Sequence, residues 1–134
     1  MTRVPAATVA VYHAATYEIG AIRLRIGEPN DGIAAMLRAA GAVSAVIVTA
    51  YNPESVALCE AENRAAHENL VHAVAAYETR ATCAVDPSGV WPPEPGLLVL
   101  GMSDEDAVAL GARFRQNAIV CLAVDEAPKL VLLR

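Results

Sequence analysis

Val43 to Val48 is an apolar stretch interrupted only by Ser44, lying between Gly41 and the pair Asn52-Pro53. A short aliphatic run bounded by turn residues is the signature of an interior strand. Any fold for this chain must therefore contain a sheet. Ala118 to Val124 repeats the pattern, and Leu97 to Leu100 is a shorter version of it. Ile22, Leu24 and Ile26 alternate with Arg23 and Arg25, the period of a half-buried strand with its arginines in water. Thr79 to Val85 reads as a further strand.

Helices fit between these runs. Glu28 to Gly32 is a turn cluster, after which Ile33, Met36, Leu37 and Ala40 share one helical face and Gly41 supplies the stop. Asn52 is read as an N-cap, with Pro53 at the first helical position and Glu54 at the positive helix end; the helix is expected to run to about Tyr77. Ser103, with Asp106 three residues on, opens another helix with Ala107, Leu110, Gly111 and Phe114 inside. Asp86 to Gly96 reads as a proline- and glycine-rich loop, and Asp125 to Pro128 as a turn leading to a strand over Leu130 to Leu133. Residues 6–19 admit two readings: a helix through about His13 followed by a strand from Ala15, or one long strand. A hairpin near Gly20 follows either. The expected fold class is α+β: a single layer fold with a mixed β-sheet of about five to seven strands packed by about three helices.

A length of 134 residues suits a single domain, expected over residues 1–134. Aromatics are 4% of the chain, so the core must be aliphatic. The net charge of −5 argues against a nucleic-acid partner and against docking on an anionic membrane. The longest apolar run, Ala39 to Tyr51, is well short of the ~20 residues of a membrane span, and Pro5, His13 and Glu18 interrupt the start too early for a signal peptide. Cys59, Cys83 and Cys121 are odd in number and form no CxxC pair, which points to a reducing cytoplasm rather than a disulfide framework.

Few residues offer chemistry. His67 and His72 are five apart, so at about 100° per residue they lie about 140° apart on a helix, and metal ligation needs i, i+4 spacing. No metal and no cofactor is expected. On a helix that begins at Asn52, Val56, Cys59, Asn63, Ala66 and Leu70 form one stripe, which puts Asn63 inside. A buried amide needs partners: it either bonds a strand backbone and pins the helix, or it lines a pocket. Asn52, at the positive helix end, either caps the helix or helps hold an anion there, with Thr49 just before it. Gln116, next to Asn117, closes a helix before a buried strand. Trp91 either plugs the core edge or stacks on a ligand, and Glu94 is the carboxylate beside it. Phosphate loops, nucleophile elbows and paired carboxylates are missing from the sequence.

Thr49-Ala50-Tyr51-Asn52-Pro53, Glu62-Asn63, Trp91 with a nearby glutamate, Leu98-Val99-Leu100-Gly101 and Phe114-Arg115-Gln116-Asn117-Ala118 together resemble the bacterial domain-of-unknown-function family 3293. The resemblance spans about Tyr17 to Leu130. It implies a bacterial, cytoplasmic, single-domain protein and carries no assigned activity. The family usually has an acidic pair after the tryptophan; here Pro92-Pro93-Glu94-Pro95 leaves one glutamate.

The expected function is a binding or regulatory domain that recognises a small polar or anionic ligand, or a partner peptide, near the helix starting at Asn52. Thr49, Asn52, Asn63, Trp91, Glu94 and Gln116 are the candidate contacts. Two alternatives stand beside it. One is a small enzyme whose amides orient a substrate, with Glu94 or His67 as base. The other is a structural homo-oligomer without a ligand.

Overall fold

The aliphatic runs become the centre of one sheet. The structure, a computed structural model, describes residues 4–134. In chain order the elements are α1 (Ala6–Ala14), β1 (Thr16–Ile19), β2 (Ile22–Leu24), α2 (Asp31–Ala39), β3 (Ser44–Val48), a 3-10 turn (Pro53–Ser55), α3 (Glu60–Ala73), β4 (Thr79–Val85), β5 (Glu94–Leu100), α4 (Asp104–Arg113), β6 (Ala118–Ala123) and β7 (Glu126–Leu132). The seven strands lie in the order β2-β1-β4-β5-β3-β6-β7. The α+β class holds, and residues 6–19 resolve into a helix followed by a strand.

The sheet is not mixed. Every pairing in it is antiparallel. Helices between strands suggested parallel neighbours, because a helical crossover joins strands that run the same way. Here each crossover does so, but at least one other strand lies between the two it joins. Thus α3 links β3 to β4 across β5, and α4 links β5 to β6 across β3. Hairpins supply three of the six neighbour pairs, β1–β2, β4–β5 and β6–β7, and among the described residues α1 raises the α-helix number to four.

Side chains alternate across the sheet and build two cores. Ala45, Ile47, Leu98, Val120 and Leu122 point to one face, where they pack with Ile33 and Leu37 of α2 and with Tyr17 of β1. Val46, Val48, Val99 and Cys121 point to the other, against Leu70 of α3 and Ala107 and Leu110 of α4. The interior-strand reading of Val46 and Val48 is correct at 1% exposure each. Asn30 caps α2, and the chain leaves that helix through Gly41 at φ +69°, with Ala42 donating to Leu37 O. Among the described residues no helix is long and apolar enough to cross a membrane.

The helix expected from Asn52 to Tyr77 is the main correction. Asn52, Glu54 and Ser55 have φ of 46°, 56° and 59°, which a continuing right-handed helix forbids. Pro53 opens only a 3-10 turn, the chain extends at Val56, and α3 starts at Glu60 behind a Cys59–Glu62 capping box. Tertiary contacts override the local cap signal: Glu54 N–H donates to Arg115 O at 2.8 Å, and the Glu54 carboxylate pairs with Arg115 and Arg134. Val56 is exposed rather than part of an inner stripe, and Cys59 is exposed as well.

Two smaller boundaries also move. β5 begins at Glu94, so that residue stands on a strand and not in the loop. Gly96 makes this possible, because a Cβ there would lie 2.8 Å from Val48 O and 2.9 Å from Thr82 Oγ1. β7 begins at Glu126 and contains Pro128, which is tolerated because β7 is an edge strand.

Candidate functional site

On the face shared with α2, the helix α1 stands over the sheet and leaves a cavity of about 280 Å³. That volume is just below the range of about 300–1,000 Å³ typical of small-molecule sites. Sheet residues such as Ile47, Ala84 and Val120 form its apolar floor. Thr8, Val11 and Tyr12 of α1, with Tyr17 of β1, close one side. The segment after β3 and the loop before β5 close the others.

Each wall has a local reason to stand where it does. Thr49 Oγ donates to Pro95 O at 2.8 Å and accepts from Tyr51 N–H at 3.0 Å, which bends the chain as it leaves β3. Asn52 then adopts the left-handed conformation, which asparagine tolerates better than most residues. Its amide is the hub of the site: Oδ1 accepts from Leu58 N–H at 3.1 Å and from Asn63 Nδ2 at 2.9 Å, and Nδ2 donates to Glu94 Oε2 at 3.3 Å. Asn63 Oδ1 in turn accepts from Asn52 N–H at 2.9 Å. Gln116 Nε2 donates to Tyr51 O at 3.2 Å and Phe114 O at 3.3 Å, which fixes which end of its amide is nitrogen. Ser55 Oγ accepts from Asn117 Nδ2 at 2.8 Å and shares a 3.2 Å hydrogen bond with the Tyr12 hydroxyl, tying α1 to the rim. Asp86 organises the loop that carries Trp91, accepting from Ser88 N–H at 2.9 Å and from Trp91 N–H at 3.0 Å.

The charge inside is one-signed. Glu94 and Asp86 line the cavity, and among the described residues no lysine, arginine or histidine does. Burial pushes the Glu94 carboxyl up from its ordinary value, against the smaller opposing effect of the Asn52 hydrogen bond. Burial likewise raises the Tyr12 hydroxyl, opposed by its bonds to Ser55 and Asn117, and raises that of Tyr17 with help from Tyr12 and Glu94. Both tyrosines are therefore neutral hydroxyls at physiological pH.

Thr49, Asn52, Trp91, Glu94 and Gln116 all line this cavity. Asn63 does not; it is buried at 4% exposure directly behind Asn52 and holds that residue in place. The chain around these residues matches the family described as "Protein of unknown function (DUF3293)" over residues 48–119, more than half its length. The chain belongs to this family. The matched DUF3293 segment contains all six candidate residues, whereas α1 and β1 lie outside it. No curated protein and no solved structure matches the chain.

Two expectations about the site lose their basis. No α-helix begins at Asn52, so there is no helix end there to hold an anion, and among the described residues the cavity offers carboxylates instead of cations. His67 lies outside the cavity, edge-on to Tyr51 with ring centroids 6.2 Å apart, and its buried Nδ1 has no hydrogen-bond partner among the described residues. It cannot serve as a base at this site. Among the described residues no group of three or more His, Cys, Asp or Glu side chains is placed to hold a metal.

Sequence reasoning missed Tyr12, Tyr17, Ser55 and Asp86. Tyr17 had a signal in its alternation with Ile19, since both turn inward on β1. Asp86 had one in its spacing to Ser88. Tyr12 and Ser55 had none, because their meeting is a contact between segments 43 residues apart.

Proposed function

We propose that the protein is a small-molecule binding domain and that the cavity between α1 and the sheet is its binding site. The observation that carries this reading is the convergence of Thr49, Asn52, Trp91, Glu94 and Gln116, from three separate segments, on one mostly apolar cavity. Apolar lining with a few placed polar groups is the usual make-up of such sites. The strained rim supports it further: three non-glycine residues at positive φ within Asn52–Ser55 cost roughly 1–3 kcal/mol each, and such strain gathers at ligand sites. Three free cysteines fit a reducing cytoplasm, where we place the protein.

Native mass spectrometry of the protein, purified quickly from cells, tests the proposal. A near-stoichiometric small-molecule adduct that is released on unfolding is expected. A bare mass, together with a fragment library that moves no side-chain amide resonance of Asn52 or Gln116, would refute it.

One observation favours a second reading, catalysis. Glu94 is a titratable group in hydrogen-bond contact with the amide cluster, which is where a general acid or base must stand. Incubating the released molecule with fresh protein separates the two readings: it returns unchanged from a binding domain and chemically altered from an enzyme.

A further inference from the structure

The cavity has an excess of acceptors. Glu94 is mostly buried, yet among the described residues it forms no ion pair, and its one hydrogen bond, from Asn52, reaches only Oε2. Among the described residues Oε1 has no donor. Gln116 spends its amide nitrogen on two backbone carbonyls, so its oxygen also lacks a donor among the described residues. Asp86 differs, since both of its oxygens are taken by Ser88 and Trp91. Neither Glu94 Oε1 nor the Gln116 oxygen is sealed in the protein; both belong to residues that line the cavity, so a ligand there can bring the missing charge and donors to a partly desolvated carboxylate.

Resting on the small-molecule reading above, we infer that the ligand class is a compact organic ammonium: a primary or secondary amine on a small apolar or aromatic body. The ammonium would donate to Glu94 Oε1 and the Gln116 amide oxygen; it has up to three donors and no acceptor, matching what the site lacks. The body would lie against Ile47, Val120 and the aromatic side chains of Tyr12, Tyr17 and Trp91, which line the same cavity and whose faces attract cations. The small volume excludes a peptide-sized occupant. An anionic ligand would meet two carboxylates and, among the described residues, no basic group.

Calorimetric titration with three near-isosteric probes tests this: benzylammonium, benzyl alcohol and benzoate, each against wild type and Glu94→Gln. Glutamine keeps an acceptor for Asn52 and removes only the charge, and a thermal melt of the variant confirms that it folds. The expected result is saturable benzylammonium binding at least tenfold tighter than benzyl alcohol, no benzoate binding, and a loss of tenfold or more for benzylammonium in Glu94→Gln. Benzyl alcohol or benzoate binding as tightly as benzylammonium would overturn the ammonium inference and leave the small-molecule site standing. So would benzylammonium binding that ignores the substitution. If none of the three binds, and the wider fragment library also leaves the Asn52 and Gln116 amides unmoved, the ammonium inference and the site reading fall together.

Discussion

Replacing Asn63 with leucine isolates the contact that holds the site's hub. The wild-type amide accepts from Asn52 N–H at 2.9 Å and donates to Asn52 Oδ1 at 2.9 Å. Leucine has similar bulk and neither group. Asn52 Oδ1 stays satisfied by Leu58 N–H at 3.1 Å, so the carbonyl end loses little. Asn52 N–H has no such second partner, and an unpaired buried donor costs about 1–3 kcal/mol. The residue it belongs to is at φ 46°, a conformation that needs external support. The expected loss is therefore about 1–3 kcal/mol, read as a lower urea midpoint with an unchanged slope. A second substitution shows whether the pair is the cause. Asn52→Gly relieves the left-handed strain and removes the Asn63 Nδ2–Asn52 Oδ1 bond while its backbone N–H still donates to Asn63 Oδ1, so the double variant should be less destabilised than the sum, with a coupling of about 0.5–3 kcal/mol. A neutral or stabilised Asn63→Leu, or strict additivity in the cycle, would refute the claim that Asn63 positions Asn52.

Glu94→Gln should be more stable than wild type at neutral pH, because burial raises the folded-state value of the Glu94 carboxyl. With the folded value above the unfolded one, wild type loses stability as pH rises through that window; the gap between variant and wild type should therefore close as pH falls toward the ordinary glutamate range, and a constant gap in thermal melts would contradict this. Gly96→Ala should cost about 1–3 kcal/mol in a urea melt, since its Cβ would press on the Val48 carbonyl, a backbone atom that cannot turn aside; a neutral outcome would show that β5 sits farther from β3. Trp91 fluorescence should change when a fragment occupies the cavity, and emission that stays fixed through saturation would place the indole elsewhere. In thiol labelling of the folded protein, Cys59 should react first. Cys83 and Cys121, both pushed up by burial, should react on unfolding, and three equally fast thiols would contradict the packing.

Sequence reading found what depends on local pattern. β4 spans Thr79–Val85 as its sequence indicates, and the aliphatic run of β3 marks an interior strand because it meets a core on each of its faces. It failed where a distant contact outweighs a local preference. Asn52-Pro53-Glu54 has the chemistry of a helix start, but Arg115 and Arg134 draw Glu54 into a turn with positive φ. The inward position of Asn63 was legible, although the stripe used to place it extends only over α3; its partner Asn52 lies eleven residues back, outside the helix. The candidate residues are polar groups in apolar surroundings, a pattern that marks cavity walls. It does not find α1, whose contribution to the cavity comes from Thr8, Val11 and Tyr12 and leaves no buried residue on the helix.

The central claim is that a small molecule sits between α1 and the sheet. A cavity-filling variant tests it most directly. Ala84 lies on the cavity lining in β4, and Ala84→Phe would occupy the space while leaving Asn52, Glu94 and Gln116 in place. Amide chemical shifts are followed while benzylammonium and a fragment library are titrated into wild type and variant. The account predicts saturable shifts at Asn52, Gln116 and the Trp91 indole in wild type, and their loss in the folded variant. Shifts confined to the outer faces of α3 and α4, or binding that survives the filled cavity, would contradict it.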